Sequence, residues 1–148
     1  MQNESNINRR SSLRAFGKKL FLGLVLVSSS AFAVYGIGQY KEGYEKLHDL
    51  TVVGNGLPTV VQVHDTNCKY CQALRSRVKS VTAQFEEKEL QVRIADIHTA
   101  KGADFARRFD SAHVTLLLFN RRGNLTQTLQ GVKSEEEIEQ AFKDLIAR

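Results

Sequence analysis

The sequence predicts an α/β fold, in which helices flank a mixed central sheet. Strand and helix segments alternate in the order β-α-β-α-β-β-α, which is typical of parallel strands joined by helices and followed by an antiparallel hairpin. Residues 121–124 are Arg-Arg-Gly-Asn and predict the turn of that hairpin. The chain has 148 residues, of which 42% are hydrophobic, and this suffices for one domain with its own core.

The first part of the domain is predicted to hold two strands and two helices. Residues 59–64 are rich in valine and predict a strand, and residues 90–97 predict a second one. Residues 42–50 predict a short helix ahead of the first strand, and residues 68–87 predict a longer helix between the two strands. Four apolar residues recur at helical spacing in the longer helix: Leu74, Val78, Val81 and Phe85.

The second part is predicted to hold a short helix, the hairpin and a closing helix. Residues 103–109 predict the short helix, and residues 114–119 predict a strongly apolar strand. Residues 125–129 predict the second strand of the hairpin. Ser134 begins the last helix, because Glu137 three residues later completes a capping box. The apolar face of that helix consists of five residues: Ile138, Ala141, Phe142, Leu145 and Ile146.

Composition and predicted structure divide the chain into three parts. Residues 1–37 contain a basic region and an apolar segment, residues 38–57 form a linker with the short helix, and residues 58–148 form the α/β domain. The net charge is +5, but the excess basic residues concentrate before residue 20 and the domain is near neutral. A near-neutral domain lacks the basic surface that nucleic-acid binding requires, so we expect no nucleic-acid partner.

The apolar segment admits two main interpretations. Residues 20–37 are long enough to cross a bilayer as a retained membrane anchor. Alternatively, the apolar run 20–27 and the Ala-Phe-Ala at residues 31–33 fit a signal peptide that is cleaved. Because the positively charged flank stays inside, both interpretations place the domain on the non-cytoplasmic side, periplasmic or extracellular. A buried soluble helix is a third reading of this segment.

The two cysteines of the chain, Cys68 and Cys71, have the spacing C-x-x-C. A disulfide between them would close a very small loop, so a role in stapling the fold explains them poorly. They lie where a predicted strand ends and a helix begins. The unpaired N–H groups and the dipole of a helix start stabilise a thiolate, and Lys69 adds a nearby cation. We therefore expect Cys68 to be the nucleophile and Cys71 the resolving thiol.

The domain resembles a minimal thioredoxin domain, a thioredoxin-like sandwich. The residues that carry the resemblance are Val-Val-Gln-Val-His-Asp, Cys-Lys-Tyr-Cys, Val-Thr-Leu-Leu-Leu-Phe, the Arg-Arg-Gly-Asn turn and Gly131 before the last helix. The resemblance implies a thiol–disulfide oxidoreductase that needs no cofactor beyond a redox-active Cys68–Cys71 disulfide. Its implied partners are protein thiols or disulfides and a separate redox partner, with the membrane as a further partner if residues 20–37 are retained.

Three positions differ from the pattern of that family. Asn67 replaces a tryptophan, Gln62 replaces a buried aspartate, and Val114, preceded by His113, replaces a cis-proline. A cis bond without proline costs about 2.5–4 kcal/mol, so we expect a trans bond before Val114. The motif has a tyrosine, Tyr70, directly before the second cysteine, and in this it resembles glutaredoxins and periplasmic disulfide isomerases. Five residues are candidates for tuning the thiols or contacting substrate: Asn67, Lys69, Tyr70, His113 and Val114.

Other functions of the cysteine pair stay open at this point. Two thiolates with one or two imidazoles would suit zinc or copper. The candidate ligands of such a site are Cys68, Cys71, His64 and His113. The pair could also form an inert local disulfide, or the domain could bind peptides without redox activity.

Overall fold

The computed structural model describes residues 41–148. The predicted basic region and the predicted hydrophobic segment at residues 20–37 lie outside the described residues. Within residues 41–148, no helix has the length and apolar character needed to cross a membrane. Residues Tyr44–Arg148 form one compact unit.

The centre of this unit is a four-stranded mixed sheet with the strand order β2-β1-β3-β4. β1 pairs with β2 in parallel and with β3 antiparallel, and β3 pairs with β4 antiparallel. The strands are β1 (Thr59–His64), β2 (Gln91–Asp96), β3 (Thr115–Phe119) and β4 (Leu125–Gln130). β1 and β3 are buried along their whole length, so the carboxyl end of β1 is held rigidly in the middle of the sheet.

Helices cover both faces of the sheet. Residues 41–48 are helical (α1), and a single 3-10 turn follows at Leu50–Val52. The other helices are α2 (Lys69–Thr82), α3 (Ala100–Arg108) and α4 (Glu135–Ile146). Helices α2 and α4 share one apolar cluster with one face of the sheet, and α3 shares a second cluster with the other face.

The alternation of side chains along β1 produces these two clusters. Val60 points into the cluster under α2 and α4, whereas Val61 and Val63 point into the cluster under α3, as the two-residue period of a strand requires. Gln62 therefore points toward α2 together with Val60. Because of this alternation, the buried amide of Gln62 lies directly beneath the helix that carries the cysteines.

The predicted elements are confirmed in type and order, with shifted ends. Helix α2 ends at Thr82 instead of residue 87, and Ala83 forms its C-cap. Phe85 packs against the core from the turn that follows the helix. Its position matches the apolar spacing of the helix, and the predicted helix was therefore too long. Helix α3 begins three residues earlier than predicted, because the hydroxyl of Thr99 caps it by accepting the N–H of Gly102. The predicted capping box of α4 is present.

Gly102 gives a test of how closely α3 packs on β2. A methyl group on Gly102 would overlap the backbone of Asp96, so we expect Gly102→Ala to lower the free energy of unfolding by about 1–3 kcal/mol. Urea unfolding measures this difference. Gly43→Ala is the matched control, since a methyl there meets nothing within 4 Å. Equal stability of Gly102→Ala and the wild-type chain would contradict the close packing.

Candidate active site: a dithiol at the start of helix α2

A tight turn carries the chain from β1 into α2. The N–H of Asn67 donates to Oδ1 of Asp65 at 2.8 Å, and the N–H of Cys68 donates to the carbonyl oxygen of Asp65 at 3.2 Å. An aspartate that bonds the backbone two residues later is a common way to fix such a turn. The turn brings Cys68 to the N-cap position of α2, with φ −93° and ψ 117°.

The two thiols are both free and occupy different environments. Cys68 is partly exposed, whereas Cys71 is completely buried. Sγ of Cys68 accepts the N–H of Cys71 at 3.3 Å, in the place where the side-chain oxygen of an ordinary N-cap residue accepts a hydrogen bond. This hydrogen bond and the helix dipole both favour negative charge on the Cys68 sulfur.

The surroundings of Cys71 favour its protonated form. Burial raises the pKa of the Cys71 thiol, and the neighbouring sulfur of Cys68 raises it further. The backbone groups of Asp65 and Val114 act in the opposite direction, and burial outweighs them. Two thiols whose environments differ in this way can divide the roles of nucleophile and proton-bearing partner.

Gln62 connects the central strand to the helix of the dithiol. Its side chain is 1% exposed, and Nε2 donates to the carbonyl oxygen of Cys71 at 2.9 Å. The same Nε2 lies 3.3 Å from Nδ1 of His64. At the position where the family has a buried aspartate, this chain therefore has a side chain that positions the helix and does not titrate.

A second loop supports the turn before Cys68. Nε2 of His98, in the β2–α3 loop, lies 2.9 Å from Oδ1 of Asp65. The hydrogen bond to Asp65 raises the pKa of His98, and the hydrogen bond to His98 lowers the pKa of Asp65. No sequence spacing relates His98 to Asp65, so the sequence alone did not indicate this pair.

Val114 has an unusual backbone conformation, with φ +63°. A β-branched residue rarely adopts this left-handed region, and such strain costs on the order of 1–3 kcal/mol. Its carbonyl oxygen accepts the N–H of Gly131 at 2.8 Å, which holds the loop against the end of β4. No cis peptide bond occurs between residues 41 and 148, so the expectation of a trans bond before Val114 is confirmed.

The remaining predicted site residues are distributed around the dithiol. Asn67, Lys69 and Tyr70 are exposed, and the side chain of Tyr70 is 70% exposed. His113 is also exposed, and its charge acts on Asp65 beside the cysteines. Three of these side chains are thus exposed next to the cysteines in the chain, and His113 is near enough for its charge to act on Asp65.

The residues of the predicted metal site do not converge. His64 is 3% exposed and hydrogen-bonded to Gln62, whereas His113 is exposed. Across residues 41–148, no group of three or more His, Cys, Asp and Glu side chains has an arrangement that could hold a metal ion.

A four-stranded mixed sheet with a C-x-x-C pair at the start of the first long helix defines a thioredoxin-type fold. The family model of the thioredoxin-like domain matches residues 49–146. The chain therefore belongs to the thioredoxin-like family.

Individual relatives and structures agree with this assignment. The mitochondrial thioredoxin of Bos taurus is 29% identical over 96 residues, which cover 64% of this chain and 55% of that protein. The chain thus spans about half the length of the curated relatives it matches. Two solved structures share the fold. A thioredoxin-like protein from Clostridium perfringens has a TM-score of 0.55 and 24% identity, and the match covers 61% of this chain and 71% of that one. Thioredoxin O2 from Arabidopsis thaliana has a TM-score of 0.53 and 15% identity, and the match covers 74% of this chain and 88% of that one.

The two histidines near the dithiol are expected to titrate on opposite sides of the ordinary histidine pKa. Burial lowers the pKa of His64, and the hydrogen bond to Asp65 raises that of His98. The stabilisation from His98 is therefore complete below its unfolded pKa and is lost as pH rises through the raised value. NMR titration of the imidazole resonances measures both midpoints.

Asp65→Asn is the variant that tests the cause of the His98 shift. We expect it to lower the midpoint of His98 toward the ordinary value, while His64 stays below that value because burial is its main cause. A His98 midpoint that is unchanged in Asp65→Asn would contradict the hydrogen bond as its cause.

Proposed function

We propose that this protein is a thiol–disulfide oxidoreductase that exchanges disulfides with protein thiols through Cys68 and Cys71. The observation that carries the proposal is the hydrogen bond from the N–H of Cys71 to Sγ of Cys68 at the start of α2. It stabilises charge on the sulfur that is partly exposed. The second sulfur is buried one helical turn away, where it can reach the first but is shielded from solvent.

The proposed reaction has two exchange steps. The Cys68 thiolate attacks one sulfur of a substrate disulfide, forming a mixed disulfide and releasing the other substrate sulfur as a thiolate. Cys71 then loses its proton and attacks Sγ of Cys68. This step forms the Cys68–Cys71 disulfide and releases the second substrate thiolate, so the substrate gains the two electrons that the dithiol loses. The reverse sequence oxidises a substrate dithiol.

The surroundings of Cys68 support a protein as the substrate. Lys69, Tyr70 and His113 are exposed around the cysteines, and an exposed tyrosine provides apolar area together with a hydroxyl for hydrogen bonding. The proposed reaction requires no cofactor, since the dithiol itself carries the electrons. A separate redox partner returns the dithiol to its starting state after each cycle.

We place the domain on the non-cytoplasmic side of a membrane, either exported or anchored. The support for this placement is the sequence of residues 1–37, a basic region followed by an apolar segment. A compartment outside the cytoplasm is also where protein disulfides form and persist. A fusion of a compartment-specific reporter to residue 148 of the full chain would test the orientation.

Substitution of each cysteine tests the proposed division of roles. We expect Cys68→Ser to abolish reduction of insulin disulfides by the full chain in the presence of dithiothreitol, because the nucleophile is lost. Cys71→Ser is expected to form mixed disulfides with insulin that persist, because the resolving thiol is lost. Turbidity and non-reducing gel electrophoresis measure the two outcomes.

Circular dichroism of both serine variants is the control, and we expect wild-type spectra because neither thiol is cross-linked in the dithiol state. If both variants reduced insulin as the wild-type chain does, the proposed function would be wrong. A Cys68→Ser variant that retained activity while Cys71→Ser lost it would reverse the proposed roles.

The raised pKa of Cys71 predicts that resolution accelerates with pH. Only the thiolate attacks the mixed disulfide, so its rate should rise about tenfold per pH unit below the pKa of Cys71. With dithiobis(nitrobenzoate) as oxidant, the first thionitrobenzoate released reports attack by Cys68 and the second reports resolution by Cys71. Cys71→Ser is the control and should lack the second release. A second phase that did not change between about pH 7 and 9 would contradict the assignment.

A further inference from the structure

A surface pocket of about 410 Å³ lies between the carboxyl end of β1 and the outer side of α2. It is distinct from the dithiol and from the loop that contains Val114, neither of which lines it. Six residues line it: His64, Thr66, Gln72, Arg75, Ser76 and Lys79. Its volume is sufficient for a small ligand or for one end of a larger one.

The charge of the pocket is positive. Arg75 and Lys79 lie one turn apart on α2, and both are exposed. Neither has an acidic partner among residues 41–148, and none of the described lining residues is acidic. Two cations without a counter-ion at one pocket indicate a site for an anion.

His64 adds a directed donor to the pocket. The amide of Gln62 donates to the Cys71 carbonyl oxygen, which fixes its Nε2 as the atom facing Nδ1 of His64. Nδ1 must therefore accept, so the proton of the neutral imidazole is on Nε2. Nε2 of His64 has no hydrogen-bond partner in the described part of the chain, although the residue is 97% buried, being 3% exposed. His64 lines the pocket, so this N–H can donate to the oxygen of a ligand bound there.

The carboxylates of Asp65 and Asp96, whose charges act on His64, have hydrogen-bond partners of their own. Oδ1 of Asp65 accepts from the N–H of Asn67 and faces His98. Oδ1 of Asp96, the partner of His64 in the sheet register, accepts the N–H of His98. Both acidic side chains near His64 are thus engaged in the loops beside the pocket, and neither lines it.

The pocket is directly linked to the redox centre. Nε2 of Gln72 donates to the carbonyl oxygen of Thr66 at 2.9 Å. Thr66 precedes Cys68 by two residues, and Gln72 directly follows Cys71. The rim of the pocket and the frame of the dithiol are therefore the same stretch of chain.

We propose that this pocket binds an oxyanion, a carboxylate or a phosphate, carried by the molecule that exchanges disulfides with Cys68. The inference rests on the proposed function and extends it to a preference for anionic substrates. The guanidinium of Arg75 can hold such a group through two parallel hydrogen bonds. Lys79 contributes a second charge, and Nε2–H of His64 contributes a directed donor.

Direct binding tests the pocket without any redox step. Succinate and, separately, inorganic phosphate are titrated into the reduced full chain while NMR follows the imidazole resonances of His64. We expect a saturable shift with at least one probe, and the tighter of the two identifies the chemistry of the group. The double variant Arg75→Gln/Lys79→Gln should weaken binding by about fivefold or more.

Arg121→Gln/Arg122→Gln is the matched control variant. It removes the same number of positive charges from the hairpin turn, which lies at the opposite end of the sheet because β3 runs antiparallel to β1. This variant should retain the shift of His64. Loss of binding in both variants alike, or no saturable shift in the wild-type chain, would overturn the proposal.

Reaction rates test whether the pocket serves the substrate. The anionic disulfide dithiobis(nitrobenzoate) is compared with the uncharged dithiodipyridine, both in excess over the reduced chain. The variant Arg75→Gln/Lys79→Gln should react about fivefold more slowly with the anionic disulfide and at an unchanged rate with the neutral one. Equal effects on the two disulfides would overturn the preference for anions.

These outcomes separate the two proposals. If the neutral disulfide reacts rapidly with Cys68 but neither anion binds, the proposed function stands and the pocket proposal fails. If neither disulfide is turned over by the dithiol, the proposed function fails, and the role of the pocket in substrate binding fails with it.

Discussion

The hydrogen bond from the buried amide of Gln62 to the carbonyl oxygen of Cys71 fixes helix α2 on the central strand of the sheet. Gln62 cannot turn away easily, because β1 is paired on both sides and a buried amide without a partner would cost about 1–3 kcal/mol. With this part of α2 held, the N–H of Cys71 is directed at Sγ of Cys68. The same amide also orients His64, so the dithiol and the basic pocket have one common support.

Burial and the helix start give the two thiols different environments. Cys71 lies inside the domain, where desolvation raises its pKa, and Cys68 lies at the surface, where the first backbone groups of α2 meet its sulfur. The difference follows from one helical turn: the N-cap residue lies at the edge of the domain, and the residue three positions later faces the core. Asp65 fixes the edge through hydrogen bonds on both sides, to the turn before Cys68 and to His98.

A strained loop and a basic pocket both lie close to the dithiol. Val114 is held at φ +63° by the neighbouring strand end, and strained residues of this kind occur where the surrounding structure defines a functional surface. In the pocket, Arg75 and Lys79 provide charge and His64 provides a directed donor. A substrate that offered an oxyanion near its disulfide would satisfy the pocket while its sulfur approached Cys68.

The sequence by itself determined the order of elements, the position of Cys68 at a helix start and the capping box of α4, because strand periodicity, helix periodicity and capping act between near neighbours. The sequence pattern predicted too long a helix α2, because Phe85 lies at the apolar spacing of the helix although it follows the helix end. The His98–Asp65 pair, the conformation of Val114 and the basic pocket were decided only by the tertiary structure. The first two depend on residues far apart in sequence that the sheet brings together, and the pocket depends on how α2 lies against the end of β1. No local pattern encodes such distances.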